Sequence, residues 1–283
     1  MDATILMPLS LDEAVDALAR DPRALPVAGG TDLMPRVNAE LVRPSALVGL
    51  AKVADLRRWG YEDGFAMLGA GLTWARLADA DLAALVPALA AAANEVGTAQ
   101  VRAMGTLGGN ILASGRPADS LPVLAALEAT VSCRSPGGVR EVAPHLLEPR
   151  SGPIAEQLLR PGELITGVRV PLLRGVQEFV KAPVGAGRHL TLALVAGPVV
   201  GDVRCAVGGA HPGPVRAFGA EQWLAGRMDA RTGRLADARD AADFGRLVAD
   251  EVRPEAEQRA ARAHLRHVVA VCARRAVQRA FGG

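Results

Sequence analysis

The chain has 283 residues, 50% of them hydrophobic and 22% charged, so it can bury a large core in one large domain or in two to three small ones. A net charge of +2 and an aromatic content of 3% argue against a nucleic-acid-binding face. No signal peptide or membrane span is recognisable, and the three scattered cysteines fit neither a disulfide framework nor a metal site, which favours a reducing cytoplasm.

The first predicted unit, residues 1–52, alternates helices and strands. Ser10 and Glu13 have the spacing of a capping box, and apolar residues follow at helical intervals up to Leu18. A short strand then enters the segment VAGGTD (27–32), a helix is predicted over 32–40, and a strand over 46–50. The pair Gly29-Gly30 lets backbone amides approach an anion without an intervening Cβ, although most such pairs are ordinary turns.

The second predicted unit, residues 53–171, contains a second glycine pair. A strand over 65–71, a helix capped by Thr73 and an alanine-rich helix over 85–96 precede the segment GTLGGN (105–110). A helix over 119–127, a hairpin around residues 135–138 and a strand over 164–170 follow. Two glycine turns far apart in sequence are able to hold a pyrophosphate from both sides, which points to a dinucleotide-type cofactor.

The third predicted unit, residues 172–283, begins with three extended runs, at 177–181, 190–196 and 203–207, and continues as helices. The last helix is rich in arginine and has one apolar face that includes Leu265, Val269 and Cys272. Its arginines are interpreted first as the solvated side of a core-packing helix and second as a partner-binding face. The five histidines form no catalytic or metal-binding set, so we expect no acid–base catalyst and no metal ligands in this chain.

Four segments together resemble a known family. VAGGTDLM (27–34), RAMGTLGGN (102–110), ADSLP (118–122) and GGAHPGPVRA (208–217) are similar to segments of the FAD-binding medium subunit of molybdenum hydroxylases, which include carbon monoxide dehydrogenase and xanthine dehydrogenase. The segments occur in order and span nearly the whole chain.

The resemblance implies an α+β fold. Two FAD-binding subdomains of the vanillyl-alcohol-oxidase type, residues 1–52 and 53–171, would precede a C-terminal domain, residues 172–283, with a three-stranded antiparallel sheet and helices. It also implies an FAD-dependent oxidoreductase subunit that relays electrons from an iron–sulfur small subunit to an external acceptor. A large subunit with a molybdopterin cofactor would oxidise the substrate.

The resemblance also carries over site residues. Asp119 corresponds to a carboxylate that contacts FAD hydroxyls, with helix capping as its simpler interpretation, and Lys181 to a lysine near the flavin. Arg102 either pairs with a phosphate or covers the turn, and Leu164 and Ile165 either contact adenine or belong to a core strand. The predicted cofactor-binding residues are Val27, Ala28, Gly29, Gly30, Thr31, Asp32, Arg102, Thr106, Gly108, Gly109, Asn110, Asp119, Leu164, Ile165 and Lys181.

The chain departs from the family pattern at two places. The loop SGRPA (114–118) replaces a usual Ala-Ser-Pro-Ala-Ala, and Thr191 takes the place of an aspartate. These changes leave two alternatives open beside the relay subunit, a stand-alone FAD enzyme that acts on a small molecule and a scaffold subunit that has lost FAD.

Overall fold

The first five strands and helices form a small parallel α/β unit. The computed structural model describes residues 3–113, 118–143, 159–185, 187–197, 201–229, 234–235, 237–256 and 259–282. The unit comprises β1 (Thr4–Leu6), α1 (Leu11–Arg20), β2 (Leu25–Val27), α2 (Leu33–Asn38) and β3 (Ala46–Gly49), and its sheet has the order β1-β3-β2. Two 3-10 helices, Leu50–Lys52 and Ala54–Arg57, lead out of it.

The capping box at the start of α1 is confirmed with one difference. The Ser10 hydroxyl accepts a hydrogen bond from the Glu13 amide at 3.2 Å, as predicted. The Glu13 carboxylate accepts a hydrogen bond from the Leu9 amide at 2.8 Å, whereas a capping box would use the Ser10 amide. Ala14, Val15 and Leu18 are buried, so the predicted apolar face is the one that enters the core.

A five-stranded antiparallel sheet follows. Its order is β4-β5-β8-β6-β7. The strands are β4 (Trp59–Glu62), β5 (Phe65–Gly69), β6 (Thr130–Ser135), β7 (Gly138–Val142) and β8 (Leu164–Pro171). Between β5 and β6 lie α3 (Trp74–Leu77), α4 (Ala80–Leu85), α5 (Pro87–Glu95), α6 (Ala99–Met104), α7 (Leu107–Ile111) and α8 (Ser120–Ala126).

Two predicted segments in this unit need correction. The helix expected over 85–96 is divided at Val86, because Pro87 has no amide hydrogen to continue a preceding helix and instead occupies the first turn of α5. The second glycine pair is not in an open turn, since Gly108 and Gly109 lie inside α7. Thr106 caps α7 through a side-chain hydrogen bond to the Gly109 amide, and this local contact outweighs the low helix propensity of two glycines.

The remaining residues form an antiparallel sheet and three helices. The strands β9 (Val176–Gly185), β10 (Arg188–Ala196), β11 (Val203–Gly208) and β12 (Val215–Arg216) have the order β12-β11-β10-β9. The expected three-stranded sheet therefore has a fourth strand, which has only two residues and so no alternation that a sequence pattern can show. The helices are α9 (Phe218–Ala225), α10 (Asp240–Val252) and α11 (Arg259–Phe281).

This last sheet lies between two hydrophobic clusters. Along β10, Ala193 and Val195 join the cluster of the first two units, whereas Leu192 and Leu194 join a second cluster with α10 and α11. The alternation follows from the two-residue period of a strand. On the first side, all seven residues of α8 are buried and the helix contacts β10 and β11.

Arg216 joins the last sheet to α8. Its guanidinium binds both carboxylate oxygens of Glu221 at 2.7 Å. The same side chain reaches the Ala125 carbonyl at 3.4 Å and the Glu128 carboxylate at 3.3 Å, at the C-terminal end of α8. Because Arg216 is only 9% exposed, these contacts are shielded from water and stronger than a surface ion pair.

Candidate functional site

The first glycine turn lies directly against the segment that leads into the second. A Cβ built on Gly29 would lie 1.9 Å from the carbonyl oxygen of Met104 and 3.0 Å from the Cα of Gly105. No Cβ approaches another atom so closely, so only glycine fits at position 29. The structure thus brings the two predicted segments together, with Gly105 rather than the helical pair at the contact.

Gly30 turns the chain from β2 into α2. Its φ of +67° is in the left-handed region, which glycine occupies readily and other residues avoid. The amides of Gly29, Gly30 and Thr31 make no hydrogen bond to any part of the chain that the structure describes. Gly29 and Gly30 are only half-buried, so these amides remain accessible to an anionic ligand.

The neighbouring predicted residues flank this turn. Val27 ends β2 beside Gly49 of β3, and the half-buried Ala28 follows it. Asp32 lies at the start of α2 without a side-chain cap and is 3.9 Å from Arg36. The first segment therefore has the accessible amides that the sequence predicts, at the end of a strand.

The second segment offers less free backbone than expected. The Gly108 amide donates to the Ala70 carbonyl at 2.8 Å, and the Gly109 amide donates to the Thr106 hydroxyl at 3.2 Å. A Cβ on Gly108 would lie 2.8 Å from the Cβ of Ala70, so this glycine permits close packing. The amides of the glycine pair are therefore engaged within the chain. On this side the half-buried Asn110 side chain and the hydroxyl hydrogen of the buried Thr106 remain available as donors.

Asn110 also caps a neighbouring helix. Its Oδ1 atom accepts hydrogen bonds from the Ser120 amide at 3.2 Å and from the Ser120 hydroxyl at 2.8 Å. Ser120 is the first residue of α8 and is fully buried. The side-chain amide nitrogen of Asn110 has no such bond within the described residues and keeps its donor capacity.

We expect Asn110→Ala to lower the free energy of unfolding by about 1–3 kcal/mol, because it leaves both donors of buried Ser120 unpaired. Asn110→Asp is the matched control, since it keeps an acceptor oxygen and should lose less. Urea denaturation of both variants checks this, and equal losses would show that the cap contributes nothing.

Arg102, Leu164 and Ile165 make their contacts within the chain. Arg102 donates to the carbonyls of Val96 at 3.1 Å and Gly97 at 3.0 Å, at the end of α5 and not at the second glycine segment that it was expected to cover. Leu164 and Ile165 are each 3% exposed and belong to the core strand β8.

Asp119 and Lys181 form an ion pair at the N-terminal end of α8. Lys181 Nζ lies 2.8 Å from Asp119 Oδ2 and also donates to the Glu95 carbonyl at 2.9 Å. The side chain of Lys181 is 14% exposed and that of Asp119 is 12% exposed. Asp119 makes no capping bond to α8, so its simpler interpretation is wrong, because the carboxylate is directed to Lys181. Burial raises the pKa of Asp119, and the hydrogen bond from Lys181 opposes the rise.

Two further residues near this ion pair, Thr191 and His189, belong to no sequence motif. Thr191 is paired with Lys181 across β9 and β10 and is fully buried, and its hydroxyl has no hydrogen-bond partner among the described residues. His189 is close enough to lower the pKa of Asp119. The departure from the family pattern at Thr191 was the only sequence signal here, and residues 114–117 of the other departure lie outside the described residues.

Residues 1–173 match a protein-family model described as the FAD binding domain in molybdopterin dehydrogenase. The chain belongs to this family. The resemblance predicted from the sequence is confirmed, and so is FAD, the cofactor of the family. The accessible amides of the glycine turn fit a pyrophosphate-containing group of this kind.

Curated relatives and a solved structure extend the match beyond residue 173. The chain is 30% identical over 270 residues to the glyceraldehyde dehydrogenase medium chain of Sulfolobus acidocaldarius, covering 93% of this chain and 92% of that protein. It is 32% identical to the nicotine 6-hydroxylase medium subunit of Paenarthrobacter nicotinovorans, over 72% of this chain and 73% of that subunit. The crystal structure of quinoline 2-oxidoreductase from Pseudomonas putida 86 superposes with a TM-score of 0.86 at 27% identity, over 99% of this chain and 97% of that one.

These matches confirm the predicted enzyme class, an FAD-dependent oxidoreductase of the molybdenum hydroxylase family. Within the described residues, no group of three or more histidines, cysteines or acidic residues is placed to hold a metal. The described helices include none with the length and apolar character to cross a membrane.

Proposed function

We propose that this chain is the FAD subunit of a molybdenum hydroxylase, in which it relays electrons from an iron–sulfur small subunit to an external acceptor. A large subunit that holds a molybdopterin cofactor would oxidise the substrate. The observation that carries the proposal is the junction of the two glycine segments, where unbonded amides are accessible, in a chain whose relatives are named as medium subunits.

The residues have separate tasks in this proposal. The amides of Gly29, Gly30 and Thr31, together with the flanking Val27, Ala28 and Asp32, bind the pyrophosphate. Bound FAD supplies the redox chemistry.

Side chains from the rest of the site complete the proposed binding. Thr106 and Asn110 donate hydrogen bonds, while Gly108 and Gly109 allow the close packing that positions them. Asp119 binds hydroxyls of the cofactor through the oxygen that Lys181 leaves free, and Lys181 keeps that carboxylate ionised. Arg102, Leu164 and Ile165 make their contacts within the chain and are not assigned to the cofactor in this proposal.

We place this function in the cytoplasm, in agreement with three buried cysteines that are all free. The division into subdomains 1–52 and 53–171 and a C-terminal domain 172–283 is part of the proposal, and the three separate sheets support it. The stand-alone enzyme and the FAD-free scaffold are not favoured, because the full-length relative is named as a medium chain.

Purification of the protein from its native source tests the subunit role. We expect a flavin absorbance spectrum together with two co-purifying chains, a small one with iron–sulfur absorbance and a large one with molybdenum. A protein that purifies alone, with FAD and with activity on a small molecule, would establish the stand-alone enzyme instead.

We expect Gly30→Val to weaken FAD binding at least tenfold, because valine strains the left-handed backbone and places a Cβ 3.1 Å from Met34 Cγ at the amides that bind the phosphates. A tenfold loss corresponds to about 1.4 kcal/mol. Gly64→Val is the matched control, since Gly64 has a φ of +81° in a hairpin with open space around it. Fluorescence titration of apoprotein with FAD measures both, and equal affinities would refute the first turn as the phosphate site.

A further inference from the structure

A cleft lined by arginines lies at the junction of α10 and α11, and the cofactor site does not use it. Its volume is about 670 Å³, and its lining residues are Arg253, Pro254, Glu255, Ala256, Arg262 and Arg266. A volume of this size is within the range of small-molecule sites. None of the glycine turns, α8 or β8 contributes to the lining.

Arg253, at the end of α10, has an unusual backbone conformation. Arg253 has a φ of +49°, in the left-handed region, which costs a residue with a Cβ conformational energy. Its amide still bonds the Ala249 carbonyl, and the Glu255 amide is tied to the Ala210 carbonyl. A glycine would satisfy this helix end without strain, whereas the arginine present there contributes its guanidinium to the cleft.

The three guanidiniums keep hydrogen-bond donors available. Arg253 donates one bond to the Asp250 carbonyl at 3.4 Å and Arg262 donates one to the Ala256 carbonyl at 2.9 Å. Arg266 is paired with the Asp250 carboxylate and is still 60% exposed. Since a guanidinium has five N–H donors, each of the three can bind a further anion.

The surrounding charges favour an anion. The sequence of α11 contains no aspartate or glutamate over its 23 residues. Among the described residues, two acidic side chains adjoin the cleft: Asp250, which is paired with Arg266, and the exposed Glu255, whose carboxylate lies 3.6 Å from His211 Nδ1. The His211 Nε2 atom is 2.8 Å from the Val252 carbonyl, so Nδ1 is the ring nitrogen toward Glu255. Three arginines and two carboxylates give the described part of the cleft a net positive charge.

We propose that this cleft binds a small molecule that carries a diphosphate, such as a nucleoside diphosphate. A guanidinium can donate two parallel hydrogen bonds to two oxygens of a phosphate, and three guanidiniums offer more donors than a single carboxylate can accept. Pro254 and Ala256 give the cleft an apolar wall for the non-phosphate part of the ligand. The proposal is independent of the electron-relay function.

Isothermal titration with ADP and, separately, with inorganic pyrophosphate tests the site on protein saturated with FAD, so that the cofactor site is filled. We expect binding of ADP with a submillimolar dissociation constant. If pyrophosphate binds with the same affinity as ADP, the cleft recognises the diphosphate alone. If pyrophosphate binds more weakly than ADP, the cleft also contacts the nucleoside. Absence of binding by both at millimolar concentration overturns the proposal.

Two variants locate the binding, and a third controls for net charge. Arg262→Ala and Arg253→Gly should each weaken ADP binding at least fivefold. Arg253→Gly relieves the left-handed backbone, so it should fold at least as well as the wild type. Arg275→Ala removes an exposed arginine of the same helix outside the cleft and should change the affinity less than twofold. Equal weakening by all three variants would show that ADP responds only to overall charge.

Discussion

Replacing Gly29 by alanine is expected to destabilise the protein by about 3 kcal/mol or more and to remove FAD from it. The new Cβ would lie 1.9 Å from the Met104 carbonyl oxygen, which is a backbone atom and cannot rotate away. The two glycine segments must therefore separate, and the amides that bind the phosphates move with them.

Urea denaturation and the FAD content of purified protein measure this effect. Gly60→Ala is the control, because Gly60 is a half-buried glycine of β4 at which a Cβ meets nothing within 4 Å. The control should retain FAD and remain within about 1 kcal/mol of the wild type. A Gly29→Ala protein with normal stability and FAD content would contradict the contact between the two segments.

Lys181→Met should lower the free energy of unfolding at neutral pH by about 3–5 kcal/mol, because it leaves the Asp119 carboxylate buried without its partner. Lys181 provides the hydrogen bond that opposes the effect of burial, so its loss raises the pKa of Asp119 further. The folded state of the variant then holds a proton more tightly than the unfolded state, in which the carboxyl has its ordinary pKa.

The sign of the pH dependence follows from this difference. Below the ordinary pKa of 3.8, both states are protonated and the variant loses little. As the pH rises above that value the unfolded state ionises first, so the stability of the variant falls until the raised pKa of the folded state is passed. Urea denaturation from pH 4 to pH 8 should show a growing gap between variant and wild type.

The double variant Asp119→Asn with Lys181→Met is the control for the second prediction. It removes the unpaired charge, so the growing gap should disappear and part of the stability should return. If the single variant loses the same stability at every pH, Lys181 stabilises the protein by packing alone and not through the charge on Asp119.

The sequence predicts the parts of the site that depend on backbone chemistry. The pair Gly29-Gly30 predicts amides without an intervening Cβ, and within the described residues these amides are unbonded. The contact of Gly29 with Met104 and the left-handed φ of Gly30 emerge only from the structure. Gly108 and Gly109 follow the same pattern in sequence, yet both amides are engaged. The Thr106 hydroxyl accepts from Gly109, and the carbonyl of Ala70, nearly forty residues earlier in the chain, accepts from Gly108. A local pattern carries no information on such a partner.

Side-chain contacts between residues distant in the chain also cannot be predicted from a local sequence pattern. The sequence assigns Asp119 and Lys181 each to the cofactor, but their contact joins positions 62 residues apart and depends on the tertiary packing that brings Lys181 of β9 to the start of α8. Asn110 as the cap of α8 is a similar case at ten residues. The two-residue strand β12 is too short for any periodic signal.

The position of α8 has a consequence for how the molecule unfolds. This helix belongs by sequence to the second unit, but cations of the last sheet bind both of its ends, Lys181 through Asp119 and Arg216 through the Ala125 carbonyl. Alternate residues of β10 complete the cores on both sides. Neither part can lose its structure without exposing apolar surface of the other, so we expect the described parts of the chain to melt as a single cooperative unit. Ligand that binds at the glycine turn thereby stabilises the distant C-terminal helices as well, by thermodynamic linkage.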